Sequence, residues 1–180
     1  MYDQRLILNK ITNVLEATDE SLIDDFIPFL DRANRIFVSG VGRSGLVSKF
    51  FAMRLMHTGH KVYIVGETTT TSIKSGDLFI VISGSGGTET LLPLMRRARD
   101  LGAEVIVISM KKKSPMADIA DQVFALGAGS EYSFITTEGM PMGTVFELSA
   151  LIFLESIIAR IVHENGITEE QMRAIHANLE

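Results

Sequence analysis

Cysteine is absent from the 180 residues, so neither a disulfide nor a thiolate metal site can form. The four histidines (His57, His60, His163 and His176) are scattered at spacings that match no metal-binding pattern. A basic stripe is missing too. Lys and Arg number 17 against 22 Asp and Glu, a net charge of −5, which argues against broad nucleic-acid binding. The one basic run, Lys111 to Lys113, reads as a solvated turn. Long hydrophobic runs are also lacking. The most apolar stretch, Thr144 to His163, is interrupted by Glu147, Glu155 and Arg160, so its uncharged pieces fall far short of the ~20 residues that span a bilayer. Met1 opens a polar, mixed segment without a signal-peptide core. The expected location is therefore the cytoplasm, with neither membrane nor nucleic acid as a partner.

What is present is an ordinary globular composition, 46% hydrophobic and 22% charged, in a chain long enough to bury a real core as one domain. Apolar residues at Leu6, Ile7, Ile11, Val14 and Leu15 have helical spacing and predict a helix over 3–17. A second helix is expected over 22–33, with Ser21 as N-cap and a kink or restart at Pro28. Alternation then begins. Strands are expected at 35–39, 61–65, 78–82, 104–109 and 122–126. After the first strand, Leu46, Val47, Phe50, Phe51, Ala52 and Leu55 are at core spacing on a helix that stops at Gly59. After the third, a helix from near Thr90 to Leu101 should turn Leu91, Leu94, Met95, Ala98 and Leu101 inward, with Pro93 in its first turn. A short helix at 115–120, a loop at 127–140, a long helix from Pro141 or Met142 to His163 and a last one over 168–179 complete the chain. Strands alternating with helices predict an α/β fold: a five-stranded parallel sheet between helical layers, with extra N-terminal helices. In such sheets ligands bind beyond the carboxyl ends of the strands.

The stretch around which the chain is organised lies at that edge. Phe79 to Thr90 reads FIVISGSGGTET: an apolar strand, a turn rich in glycine and hydroxyls, then a helix. A turn of this kind offers free N–H groups and the positive end of a helix dipole to an anion, most often phosphate. It has a counterpart. Ser39-Gly40-Val41-Gly42-Arg43-Ser44 aligns with Ser83-Gly84-Ser85-Gly86-Gly87-Thr88 in the same strand–turn–helix setting. The first turn also matches G-x-G-x-x-G, and Glu67 follows about twenty residues on, as in a dinucleotide site. Arg43 and Ser44, together with the hydroxyls of Ser83, Ser85 and Thr88, suit a compact anion better than a nicotinamide cofactor.

The pair VSGVGRSG and VISGSGGTET, with Gly76-Asp77 before the third strand, PMGTVFE at 141–147, GRSGLV followed by AMRLMH, and the terminal HANLE, resembles the sugar isomerase (SIS) domain family over nearly the whole chain. Within it the likeness is strongest to members that convert 3-hexulose 6-phosphate to fructose 6-phosphate. The resemblance implies a three-layer α/β/α sandwich, usually tetrameric, with no cofactor and no metal. It implies phosphate held by Ser44, Ser83, Ser85 and Thr88, with Gly42 and Arg43 in the same turn, and a catalytic glutamate at Glu147. The whole chain is then one SIS domain: N-terminal helices over 1–34, the α/β core over 35–163 and a terminal helix over 164–180.

Moving a carbonyl to its neighbouring carbon needs a proton lifted from one carbon and returned to the other through a cis-enediol. Glu147 suits the shuttle; the bland reading is a first-turn carboxylate favoured by the helix dipole. His57 and His176 are the candidates for ring opening or carbonyl polarisation, with a helix-end cation and a surface residue as their respective bland readings. Glu155 is expected to pair with Arg160 or to lie at a subunit contact. Two other readings stay open: an isomerase of a pentose or heptose phosphate, and a non-catalytic phosphosugar sensor. The apolar first helix and the 144–163 helix predict a homo-oligomer.

Overall fold

The computed structural model describes residues 4–127 and 140–179. Two helices, α1 (Gln4–Glu16) and α2 (Ser21–Arg32), precede β1 (Ile36–Gly40), α3 (Arg43–His57), β2 (Val62–Ile64) and β3 (Leu78–Ile82). Then come α4 (Leu92–Asp100), β4 (Glu104–Ser109), β5 (Gln122–Ala125), α5 (Thr144–Glu164) and α6 (Glu169–Ala174). The five strands form one parallel sheet in the order β2-β1-β3-β4-β5. The central strands β3 and β4 are almost wholly buried, as expected of strands covered on both faces.

Side-chain alternation divides the core in two. Ile36, Val38, Leu78, Ile80, Ile82, Ile106, Ile108 and Phe124 face α2, α3 and α5. Phe37, Phe79, Val81, Val105 and Val107 face α4. Phe26 of α2 sits at the centre of the first core, its ring 4.6 Å from that of Phe124 and 6.2 Å from those of Phe51 and Phe153. The second face is thinner. Among the described residues only α4 and two connections cover it, because the β2–β3 crossover contains no helix. A cavity of about 160 Å³ lined by Phe37, Val65, Ile73, Phe79 and Ala98 lies there.

Several expectations change. Ser21 is the first residue of α2 rather than its cap, and its N–H is bonded by Asp19 Oδ1 at 3.0 Å. α2 does not restart at Pro28, since burial of Phe26 and Leu30 holds it as one helix. Residues 115–120 form turns, not a helix. The last helix shrinks to six residues: Thr168 and Gln171 close a capping box, but no residue of α6 is buried to extend it. On α3, Val47, Phe51, Ala52 and Leu55 are buried, whereas Leu46 is 67% and Phe50 44% exposed. Leu94 on α4 and Leu101 just after it likewise face outward. The loop read over 127–140 falls outside the described residues from 128 to 139. Among the described residues no helix is long and apolar enough to cross a membrane.

Candidate active site

The strand order reverses between β1 and β3: the chain goes from β1 outward to β2, then crosses back to β3 and onward. Adjacent strands that diverge in this way leave a crevice at their carboxyl ends, where ligands bind. Gly40 pairs with Ile82 in register, so the two glycine-rich turns that follow them emerge side by side, about 4.8 Å apart at their roots.

The first turn is compressed onto its strand. A Cβ at Gly40 would stand 2.7 Å from the backbone of Ser44, and one at Gly45 2.7 Å from the Gly40 carbonyl. Only glycine at both positions lets α3 begin this close to the strand end. Arg43 therefore opens α3 at the crevice, with Gly42 before it and Ser44 after it, where the first N–H groups lack intrahelical partners. Glu67 plays no part here; it forms an exposed ion pair with Lys49 at 2.6 Å.

In the second turn Ser83 is buried and its Oγ lies 3.0 Å from Thr88 Oγ1. Ser85 Oγ accepts the Gly87 N–H at 3.2 Å. The carbonyls of this turn are bound from behind. Gly84 O accepts the Met110 N–H and the Ser109 hydroxyl, each at 3.2 Å, and Gly86 O accepts the Met116 N–H at 3.0 Å. α4 starts at Leu92, later than the sequence pattern suggests, so the whole run from Ser83 to Leu91 is available as turn. Ser109 was not apparent as part of this assembly from sequence. Its only signal is its place at the carboxyl end of β4.

Glu147 lies in the first turn of α5, is 8% exposed, and reaches the first turn: Arg43 Nε donates to its Oε2. Gly143, the α5 N-cap with φ +84°, makes this possible. A Cβ there would stand 2.7 Å from Glu147 Oε1. Gly143 is a second residue that the sequence reading did not single out, although it lies inside the PMGTVFE motif.

The two histidines come together, but elsewhere. Their rings stack with centroids 5.1 Å apart and planes 15° from parallel. His57 ends the 15-residue α3 that Arg43 begins, which sets it about 21 Å along the helix axis from that arginine. Burial, then the neighbouring His176 and Arg54, hold the His57 imidazole below its usual range. Glu155 pairs with Arg54 at 3.3 Å, while Arg160 binds Asp24 and Glu164. The Gly76-Asp77 motif belongs to the opposite edge of the sheet. There Arg35 donates to both carboxylate oxygens of the buried Asp77, at 3.0 and 2.6 Å, tying the start of β1 to the start of β3.

A SIS domain family model matches residues 29–152. The 3-hexulose-6-phosphate isomerase of Methylomonas aminofaciens is 57% identical over 177 residues, covering 98% of either chain. A protein of the same name from Methanocaldococcus jannaschii is 42% identical over 161 residues, 89% of this chain and 83% of its own. Among solved structures, a hypothetical protein from Methanococcus jannaschii, whose crystal structure is described as inferring the function of 3-hexulose-6-phosphate isomerase, superposes with a TM-score of 0.84. It is 36% identical and is covered, like this chain, over 98% of its length. Paired glycine-rich turns at the strand reversal, a buried carboxylate beside them and this full-length likeness lead to one conclusion: the chain belongs to the SIS domain family.

Proposed function

We propose that this protein is a phosphosugar isomerase that interconverts 3-hexulose 6-phosphate and fructose 6-phosphate. The observation that carries the reading is the Glu147 carboxylate, buried yet reaching Arg43 in the turn at the strand reversal, in a chain 57% identical to a 3-hexulose-6-phosphate isomerase along nearly all its length. A carboxylate of purely structural use gains little from being held at a ligand crevice.

In this mechanism the substrate phosphate rests on the two turns, held by Ser44, Ser83, Ser85, Thr88, the N–H groups around Gly42 and the Arg43 guanidinium. The sugar then extends toward α5. Glu147 removes the proton from the hydroxyl-bearing carbon next to the carbonyl while the carbonyl oxygen takes up a proton, giving a cis-enediol; the same carboxylate then returns its proton to the former carbonyl carbon as the other hydroxyl gives up its own, so the protons balance. Nothing is oxidised or reduced overall. His57 and His176 lie at the far end of α3 from this carboxylate, so a role for either in ring opening belongs to the site of a neighbouring copy.

Such a copy is part of the proposal. Leu46, Phe50 and Met53 fall on one face of α3 and are 67%, 44% and 52% exposed, an apolar stripe that subunit contact would cover. We assign the protein a homotetrameric state and a cytoplasmic place of work, where the charge of its phosphorylated substrates retains them. Light scattering that finds a monomer at micromolar concentration would remove the tetramer.

The isomerase itself is tested by incubation with fructose 6-phosphate in deuterated water. Label is expected at the enolisable carbon with the wild-type protein, and its rate should fall by about 10²–10⁴-fold in Glu147→Gln while phosphosugar binding persists. No label with wild type would mean a binding protein, and full activity in the variant would exclude Glu147 as base.

A further inference from the structure

We infer that Arg43 is a latch on Glu147 which the substrate's phosphate opens, so that the base is uncovered only when a phosphorylated sugar is bound. The inference rests on the isomerase reading above and adds to it a device for substrate selection.

The two partners of the ion pair are unequal. The Arg43 side chain is 57% exposed and that of Glu147 10%. Glu147 is held by the first turn of α5, with its carboxylate against the Gly143 backbone. Arg43 stands at the free start of α3, on a long side chain in water. When the pair opens, the arginine moves and the carboxylate stays. In the ion pair the guanidinium covers Glu147 Oε2. A carboxylate oxygen so occupied has little room to approach a hydrogen on carbon.

A phosphate monoester reverses the preference. It carries about −1.5 to −2 charges at neutral pH against the single charge of the carboxylate, and its oxygens match the guanidinium fork in two places. It also arrives on the turn from which Arg43 projects, beside the Ser83–Thr88 turn across the β1–β3 boundary. The ligand's phosphate draws Arg43 off the carboxylate. An unphosphorylated ketose, lacking that charge, meets a covered base.

The test is a double-mutant cycle on the binding of inorganic phosphate, which needs no turnover. Phosphate affinity is measured by calorimetry for wild type, Glu147→Gln, Arg43→Gln and the double variant. Losing a negative charge should tighten anion binding somewhat in both backgrounds, so the difference between backgrounds is the readout. If Glu147 and phosphate compete for Arg43, Glu147→Gln tightens phosphate about tenfold more when Arg43 is present than when it is glutamine. Equal effects in the two backgrounds would overturn the latch, because the guanidinium would then serve both anions at once or neither. Failure of all four proteins to bind phosphate would overturn it as well. Wild type that does not isomerise fructose 6-phosphate would instead overturn the function, and the cycle would still decide whether the latch exists.

Discussion

Gly143→Ala separates two effects that a glycine at a helix start usually confounds. The backbone there has φ +84°, in the left-handed region, where an L side chain costs about 1–2 kcal/mol. For a domain of this size that corresponds to a fall in Tm of roughly 2–8 °C. The new Cβ would also stand 2.7 Å from Glu147 Oε1 and 3.2 Å from its Cδ, so the carboxylate must shift by several tenths of an ångström or more. Displacement of a reacting group by about 1 Å costs roughly 10²-fold in rate. The control is Gly166→Ala. Gly166 has φ +60° with open space where a Cβ would go, so it carries the backbone cost alone. Thermal unfolding and steady-state isomerisation of fructose 6-phosphate are measured on both variants. Comparable losses of stability are expected, with kcat reduced about 10²-fold only in Gly143→Ala. Equal kcat in the two variants would refute the argument that Gly143 exists to seat Glu147.

Three further outcomes follow from the same geometry. Ser83→Ala removes a buried hydroxyl from the turn proposed to hold phosphate, and a hydrogen bond to a charged group contributes about 1.5–3 kcal/mol. KM should therefore rise roughly 10–150-fold while kcat changes much less; a fall in kcat at constant KM would contradict the placement. Asp77→Ala leaves Arg35 without its partner at the far edge of the sheet, and the urea midpoint should fall without any change in the kcat of the folded fraction. His57, held below the ordinary value of 6.5 by burial, binds its proton more weakly in the folded than in the unfolded chain. Its contribution to stability is therefore complete above about pH 6.5 and is lost as pH falls toward the folded value. The urea midpoint should drop between pH 7.5 and 5.5, and His57→Gln should flatten that dependence; an unaltered slope would assign the loss to other groups.

Local chemistry made much of this protein legible in its sequence. The runs LFIVI and EVIVIS declared strands buried on both faces, because only apolar β-branched and aromatic side chains tolerate that position. The turns Ser39–Gly45 and Ser83–Thr88 pointed to the anion site proposed above, because glycines and hydroxyls between a strand and a helix suit that use. Glu147 was legible through its motif. Errors gathered where a helix face must choose between a core and a neighbouring surface. The spacing of Leu46 and Phe50 is that of core residues, and periodicity alone cannot tell a buried face from one left for a partner.

Composition and periodicity thus determined the five-stranded α/β architecture and the position of the glycine-rich turns, and the family resemblance of the PMGTVFE motif pointed to Glu147, since each depends on residues close together in the chain. Only the tertiary structure decided what those pieces do to one another. The β2-β1-β3-β4-β5 order placed the two turns side by side. The arrival of α5 brought Glu147 onto Arg43, 104 residues away. The length of α3 carried His57 and His176 away from both. Such pairings depend on strand order and helix length across the whole fold, and no local pattern encodes them.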